Sequence, residues 1–131
     1  MIAMAGNWSV RFSDGMYVVS GPGFSFKDSC FDSLILCLCK EGNWNVAIFM
    51  LNCPWVPGGE KIMAIEALTN NDMLPSISFS HLPEGEVELC INRDHVNSSA
   101  DSAFLQAVGW ECAEVTGVIF KFNYKGSPPN L

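Results

Sequence analysis

The sequence predicts an all-β or β-dominated α+β fold. The expected form is an antiparallel β-sandwich or barrel of about seven to nine strands, with one helix near Ser98–Val108. Three observations carry this. Short segments alternate apolar and polar residues with a period of two. Turn-forming residues separate them at short intervals. Only one segment has clear helix start and stop signals.

The first alternation is Trp8, Val10 and Phe12 against Ser9, Arg11 and Ser13. Asp14-Gly15 follows, a hairpin signal because both turn positions need positive φ. Met16–Val19 is the returning strand, and Gly21-Pro22-Gly23 ends it. Phe24-Ser25-Phe26 makes a further short strand. Leu34–Cys39 and Val46–Leu51 are continuously apolar, with Lys40-Glu41-Gly42-Asn43 as a tight turn between them. They read as a central hairpin buried on both faces, which a second sheet or a partner subunit would have to cover.

Pro54, Pro57, Gly58 and Gly59 make Cys53–Glu60 a loop. Lys61–Leu68 suits a strand by length and a helix by its Met, Ala, Glu and Leu. Ile77 and Phe79 alternate with serines. Leu82-Pro83-Glu84-Gly85 turns the chain into a strand over Glu86–Ile91. The helix starts at Ser98, capped by Asn97 or Ser98, with Asp101 in its first turn. Ala100, Ala103, Phe104 and Ala107 form its apolar face, and Gly109 stops it. Val118, Phe120, Phe122 and Tyr124 define the last strand. The expected organisation is one domain over residues 1–125 and a flexible tail over 126–131.

At 131 residues the chain has the size of one ordinary domain. Apolar residues are 49% and charged residues 16%, enough to fill a core without metals. The net charge of −7 opposes binding to nucleic acid and to anionic membranes. No apolar run reaches membrane-spanning length, and residues 1–6 lack a signal-peptide pattern. The six cysteines form no C-x-x-C pair, and several sit in apolar runs as small core residues. Free thiols in a reducing, cytoplasmic setting are expected, and no cofactor.

No nucleophile elbow, Walker A sequence, dinucleotide fingerprint or H-E-x-x-H motif occurs. The two histidines, His81 and His95, read first as exposed loop residues. His95, in a loop before the helix, is also a reasonable binding residue. An enzyme reading would pair Cys30 or Cys53 with one of them. Glu84, Glu86 and Glu88 could hold a hard cation, but such rows more often form a solvated strand face. Trp44 beside the apolar hairpin turn and Trp55 in the Pro/Gly loop are the aromatic candidates for a contact surface. Trp55 serves equally as the anchor of a loop folded onto the core.

Gly6-Asn7-Trp8 resembles the G-x-W that opens the first strand of lipocalin-type barrels. The resemblance covers three residues and implies a barrel that carries a small apolar ligand. The helix pair of the fatty-acid-binding barrels has no counterpart in this chain.

Three functional expectations follow. The first is a non-catalytic binding or interaction protein, homo-oligomeric, of the small acidic chaperone, immunity or inhibitor type, using Trp44, Trp55 and His95. The second is the barrel carrier. The third is the Cys/His enzyme.

Overall fold

The computed structural model describes residues 2–83 and 85–125. The expected tail over 126–131 and Glu84 lie outside these. The chain divides into two compact units, within Met1–Ala67 and Leu68–Pro128. The fold is a β-dominated α+β arrangement. It holds two four-stranded antiparallel sheets and four helices among the described residues, and neither sheet closes into a barrel.

The first unit opens with a meander, β1 (Ile2–Ala5), β2 (Trp8–Ser13), β3 (Met16–Gly21) and β4 (Phe24–Asp28), in that spatial order. Its three turns have two residues each. Asp14 and Gly15 take φ of 53° and 75°, the left-handed pair that Asp-Gly was expected to supply. At the next turn a Cβ on Gly21 would lie 2.5 Å from the Phe24 ring and 3.1 Å from Trp8, so any side chain there would displace the Phe24 ring. Trp8 opens β2, the second strand, and packs against Phe24, with centroids 3.7 Å apart and planes tilted by 52°. Val10, Tyr17 and Val19 are buried on one face of the sheet.

The apolar runs that read as a buried hairpin are helices instead. α1 covers Phe31–Lys40 and α2 covers Trp44–Leu51. The buried residues of α1 are Phe31, Leu34, Ile35, Leu38 and Cys39, a full i, i+3, i+4, i+7, i+8 stripe. The window Leu34–Cys39 is too short to show that period, because its first member, Phe31, lies outside it. Lys40–Asn43 does turn the chain, as a helix stop. The Gly42 N–H donates to Cys39 O (3.0 Å) and the Asn43 N–H to Leu38 O (2.8 Å), a Schellman motif with Gly42 at φ 82°. Both helices bury their apolar residues as helices do, so the pattern no longer calls for a covering subunit. α3 (Gly58–Asn70) takes up Lys61–Leu68 and starts inside the expected loop.

The second unit holds β5 (Ile77–His81), β6 (Val87–Asn92), α4 (Ser98–Ala107), β7 (Trp110–Thr116) and β8 (Ile119–Tyr124), with sheet order β5-β6-β8-β7. β1 and β7 are strands the sequence did not suggest. β7 breaks the period of two with a bulge between Cys112 and Glu114. α4 ends within one residue of expectation, but its inner face differs. Asp101, Phe104, Leu105 and Val108 are buried, while Ala100, Ala103 and Ala107 are exposed. The chain selected an i, i+3, i+4, i+7 stripe that includes a carboxylate. Asp101 can be buried because its Oδ2 accepts from the Ser76 N–H (3.0 Å) and hydroxyl (2.6 Å). Asn97 occupies the N-cap position without a side-chain cap bond. Ser98 turns its hydroxyl to Arg93 O at 2.9 Å.

Candidate functional site

The exposed side of α4 forms one wall of an open groove of about 460 Å³. Ser98, Ser102 and Gln106 stand one helical turn apart on it, with Ser99 and Ala103 beside them. Arg93 and Phe120 complete the lining. The Gln106 amide donates to the Ser102 hydroxyl at 3.1 Å. The Arg93 guanidinium carbon lies 5.8 Å from the centre of the Phe120 ring, a cation–π distance. The backbone places it, since the Arg93 N–H donates to Val118 O at 2.7 Å and ties the end of β6 to the β7–β8 turn. Arg93 makes no salt bridge among the described residues.

Three exposed valines lie close to the lining residues in the chain or the ladder. Val118 is 45% exposed, Val115, opposite Phe120 in the ladder, is 57% exposed, and Val96 in the loop before α4 is 90% exposed. The lining therefore combines one cation, hydroxyls, an amide and an aromatic face. It contains no carboxylate, imidazole or thiol. Such a set can bind and orient a ligand, but it has no group that exchanges protons near neutral pH.

His95 sits in the loop leading to this groove and is half-buried. Its Nδ1 accepts from the Asn97 N–H (3.0 Å) and its carbonyl from the Ser98 N–H (3.0 Å). It shapes the helix entry beside the lining. Trp44 and Trp55 belong to the first unit. Trp44 begins α2 and is half-buried. Trp55 lies parallel to Tyr17, with centroids 6.4 Å apart and planes at 16°. Tyr17 also meets Phe31 edge-on at 5.2 Å and Phe12 at 4.6 Å. Trp55 is thus part of an aromatic cluster that folds its loop back onto the sheet.

The Tyr17 hydroxyl donates to Glu60 at the start of α3. Burial, followed by this carboxylate, pushes the Tyr17 phenol well above its ordinary range. Cys53 is fully buried and its thiol donates to Phe49 O at 3.4 Å. Burial raises its pKa, against a lowering influence of Lys61, so it is held as a thiol. Cys30 is exposed at the N-cap of α1, next to a small cavity of about 150 Å³ that Glu60 and Met63 also line. All six cysteines are free. His81 is exposed at the end of β5. Among the described residues no group of three His, Cys, Asp or Glu side chains is placed to hold a metal, and no helix is long and apolar enough to cross a membrane.

Sequence reasoning reached the loop and helix of this groove but missed Arg93, Ser99, Ser102, Gln106 and Phe120 as its lining. One signal was available: Ser98, Ser102 and Gln106 recur at i, i+4 and i+8, opposite the apolar stripe. Comparison with protein-family models, curated proteins and solved structures finds no match for the chain.

Proposed function

We propose that the protein is a non-catalytic binding protein that holds a segment of a partner polypeptide in the groove beside α4. The observation that carries the reading is the lining itself, whose serine hydroxyls stand with an amide, a cation and an aromatic ring but with no carboxylate, imidazole or thiol among the lining residues to activate them. Arg93 is held against Phe120 with its charge unneutralised among the described residues, so it favours a carboxylate on the ligand. The Phe120 ring in the lining, with exposed Val115 opposite it in the ladder, favours apolar side chains next to that carboxylate. A polypeptide supplies both at once. The wider expectation of a small acidic interaction protein belongs to the same reading.

Peptide display tests it. A random peptide library, with the chain's own sequence tiled into it, is selected against the wild-type protein and against Arg93→Ala. Enrichment of peptides pairing a carboxylate with apolar residues, and about tenfold weaker binding to Arg93→Ala, is the expected result. Enrichment of the tiled peptides would identify a second copy as the source of the segment. No enrichment, or binding indifferent to Arg93, would overturn the proposal.

A further inference from the structure

A second surface, on the first unit, has a different chemistry. Strand register sets Arg11, Val18 and Lys27 in one row across β2, β3 and β4 on the face opposite Val10, Tyr17 and Val19. Ser9, Ser20 and Ser25 form the neighbouring row. An open groove of about 490 Å³ runs over this face, with Ser13, Asp14 and Met16 at its turn end. At the usual strand spacing, Arg11 and Lys27 stand roughly 10 Å apart. Both are exposed, and neither makes an ion pair among the described residues.

That is unusual in a chain with 14 acidic residues against 7 basic ones. Carboxylates are in surplus, yet two of the few cations share one sheet face bordered by a single carboxylate, Asp14. We infer that this face docks an acidic segment of another polypeptide, whose carboxylates meet Arg11 and Lys27 and whose polar groups reach Ser13 and Ser25. Two cations on a chain of net charge −7 are too few to hold a nucleic-acid backbone or an anionic membrane. A second copy would bring another −7 with it, which disfavours self-association as the occupant.

The test titrates the isotope-labelled full chain with octaglutamate at low salt and follows its amide resonances. Shifts across β2–β4, abolished by added salt, are expected; shifts at Arg93 belong to the α4 groove and do not bear on this face. Arg11→Gln/Lys27→Gln, which changes only exposed side chains and whose fold is checked by its own spectrum, weakens binding about tenfold. The inference is overturned by no binding, by equal shifts around Lys40, Lys121 and Lys125, by equal binding of the double variant, or by oligothymidylate binding as tightly as octaglutamate. Sedimentation showing wild-type self-association that the double variant loses would assign the face to a second copy and equally overturn it. Because Arg93 takes no part, this test can fail while the α4 groove reading stands.

Discussion

The two sheets have the same number of strands and opposite connectivity. In the first, each strand pairs with the next in sequence across a two-residue turn, so the whole meander is local. In the second, β6 pairs with β8 across the inserted α4 and β7. Closing that connection costs entropy before any ladder bond forms. The first sheet is therefore specified by turn chemistry. The second depends on contacts made by the insert, among them the buried Asp101–Ser76 link from α4 to the start of β5.

This difference predicts where each sheet breaks. Asp101→Ala leaves the buried Ser76 N–H and hydroxyl without an acceptor and should cost about 3 kcal/mol. Denaturant unfolding measures the loss. Hydrogen exchange should show β5 and β6 losing protection while β2 and β3 keep theirs. Ser76→Ala in the same background should recover part of the hydroxyl's share, because one orphaned group is gone. Uniform loss of protection in both sheets would show that the first sheet is not independently specified.

Gly21→Ala strikes the first sheet at its third turn. The new Cβ would meet the Phe24 ring at 2.5 Å, so that ring must move off Trp8, at about 2 kcal/mol. Gly23→Ala at the same turn makes no contact within 4 Å and pays only for its positive φ of 81°, about 1 kcal/mol. Equal costs at the two positions would mean that turn conformation, not ring packing, limits the meander.

The same contrast explains what could be read from the sequence. Asp14-Gly15 and Gly21-Pro22-Gly23 announced the first meander because a two-residue turn is encoded by its own residues. Gly109 announced the end of α4 for the same reason. β7 was hidden because its bulge interrupts the alternation and only Trp110 along it is buried. α1 and α2 were misread because continuous apolar runs of six residues suit a buried strand or a buried helix alike. Extending the window to Phe31 would have exposed the helical stripe. Of the candidate site, His95 and α4 were in view. Arg93 was not, since its position over Phe120 comes from β6–β8 pairing, which no local pattern encodes.

Tyr17→Phe separates a polar link in the first unit from the aromatic packing around it. The ring keeps Trp55, Phe31 and Phe12 as neighbours, while Glu60 loses its donor. A loss of about 1 kcal/mol is expected. A larger loss, equal to that of Tyr17→Leu, would assign the contribution to the hydroxyl–Glu60 link and none to the ring.

Alkaline pH gives the smallest and most selective comparison, because the perturbed groups are concentrated in the first unit. Burial pushes the Cys39 thiol from 9.0 up to about 12, and Tyr17 and Cys53 are raised as well; among the described residues of the second unit only Cys90 is raised. For each, the folded state favours the protonated form. The stability this confers is complete below the unfolded pKa and declines as pH climbs from there through the folded value. Lys61 acts in the other sense. Its pKa is lowered by burial, so its contribution improves as pH rises toward 10.5. The first unit should therefore begin to lose stability above pH 9, where the Cys39 thiol ionises in the unfolded chain. Cys39→Ala is less stable at neutral pH because it leaves a void. Its Tm should nevertheless fall less steeply with pH, so the two curves converge in the alkaline range. Parallel curves would mean that Cys39 contributes nothing to the alkaline transition, leaving Tyr17 and Cys53 to account for it.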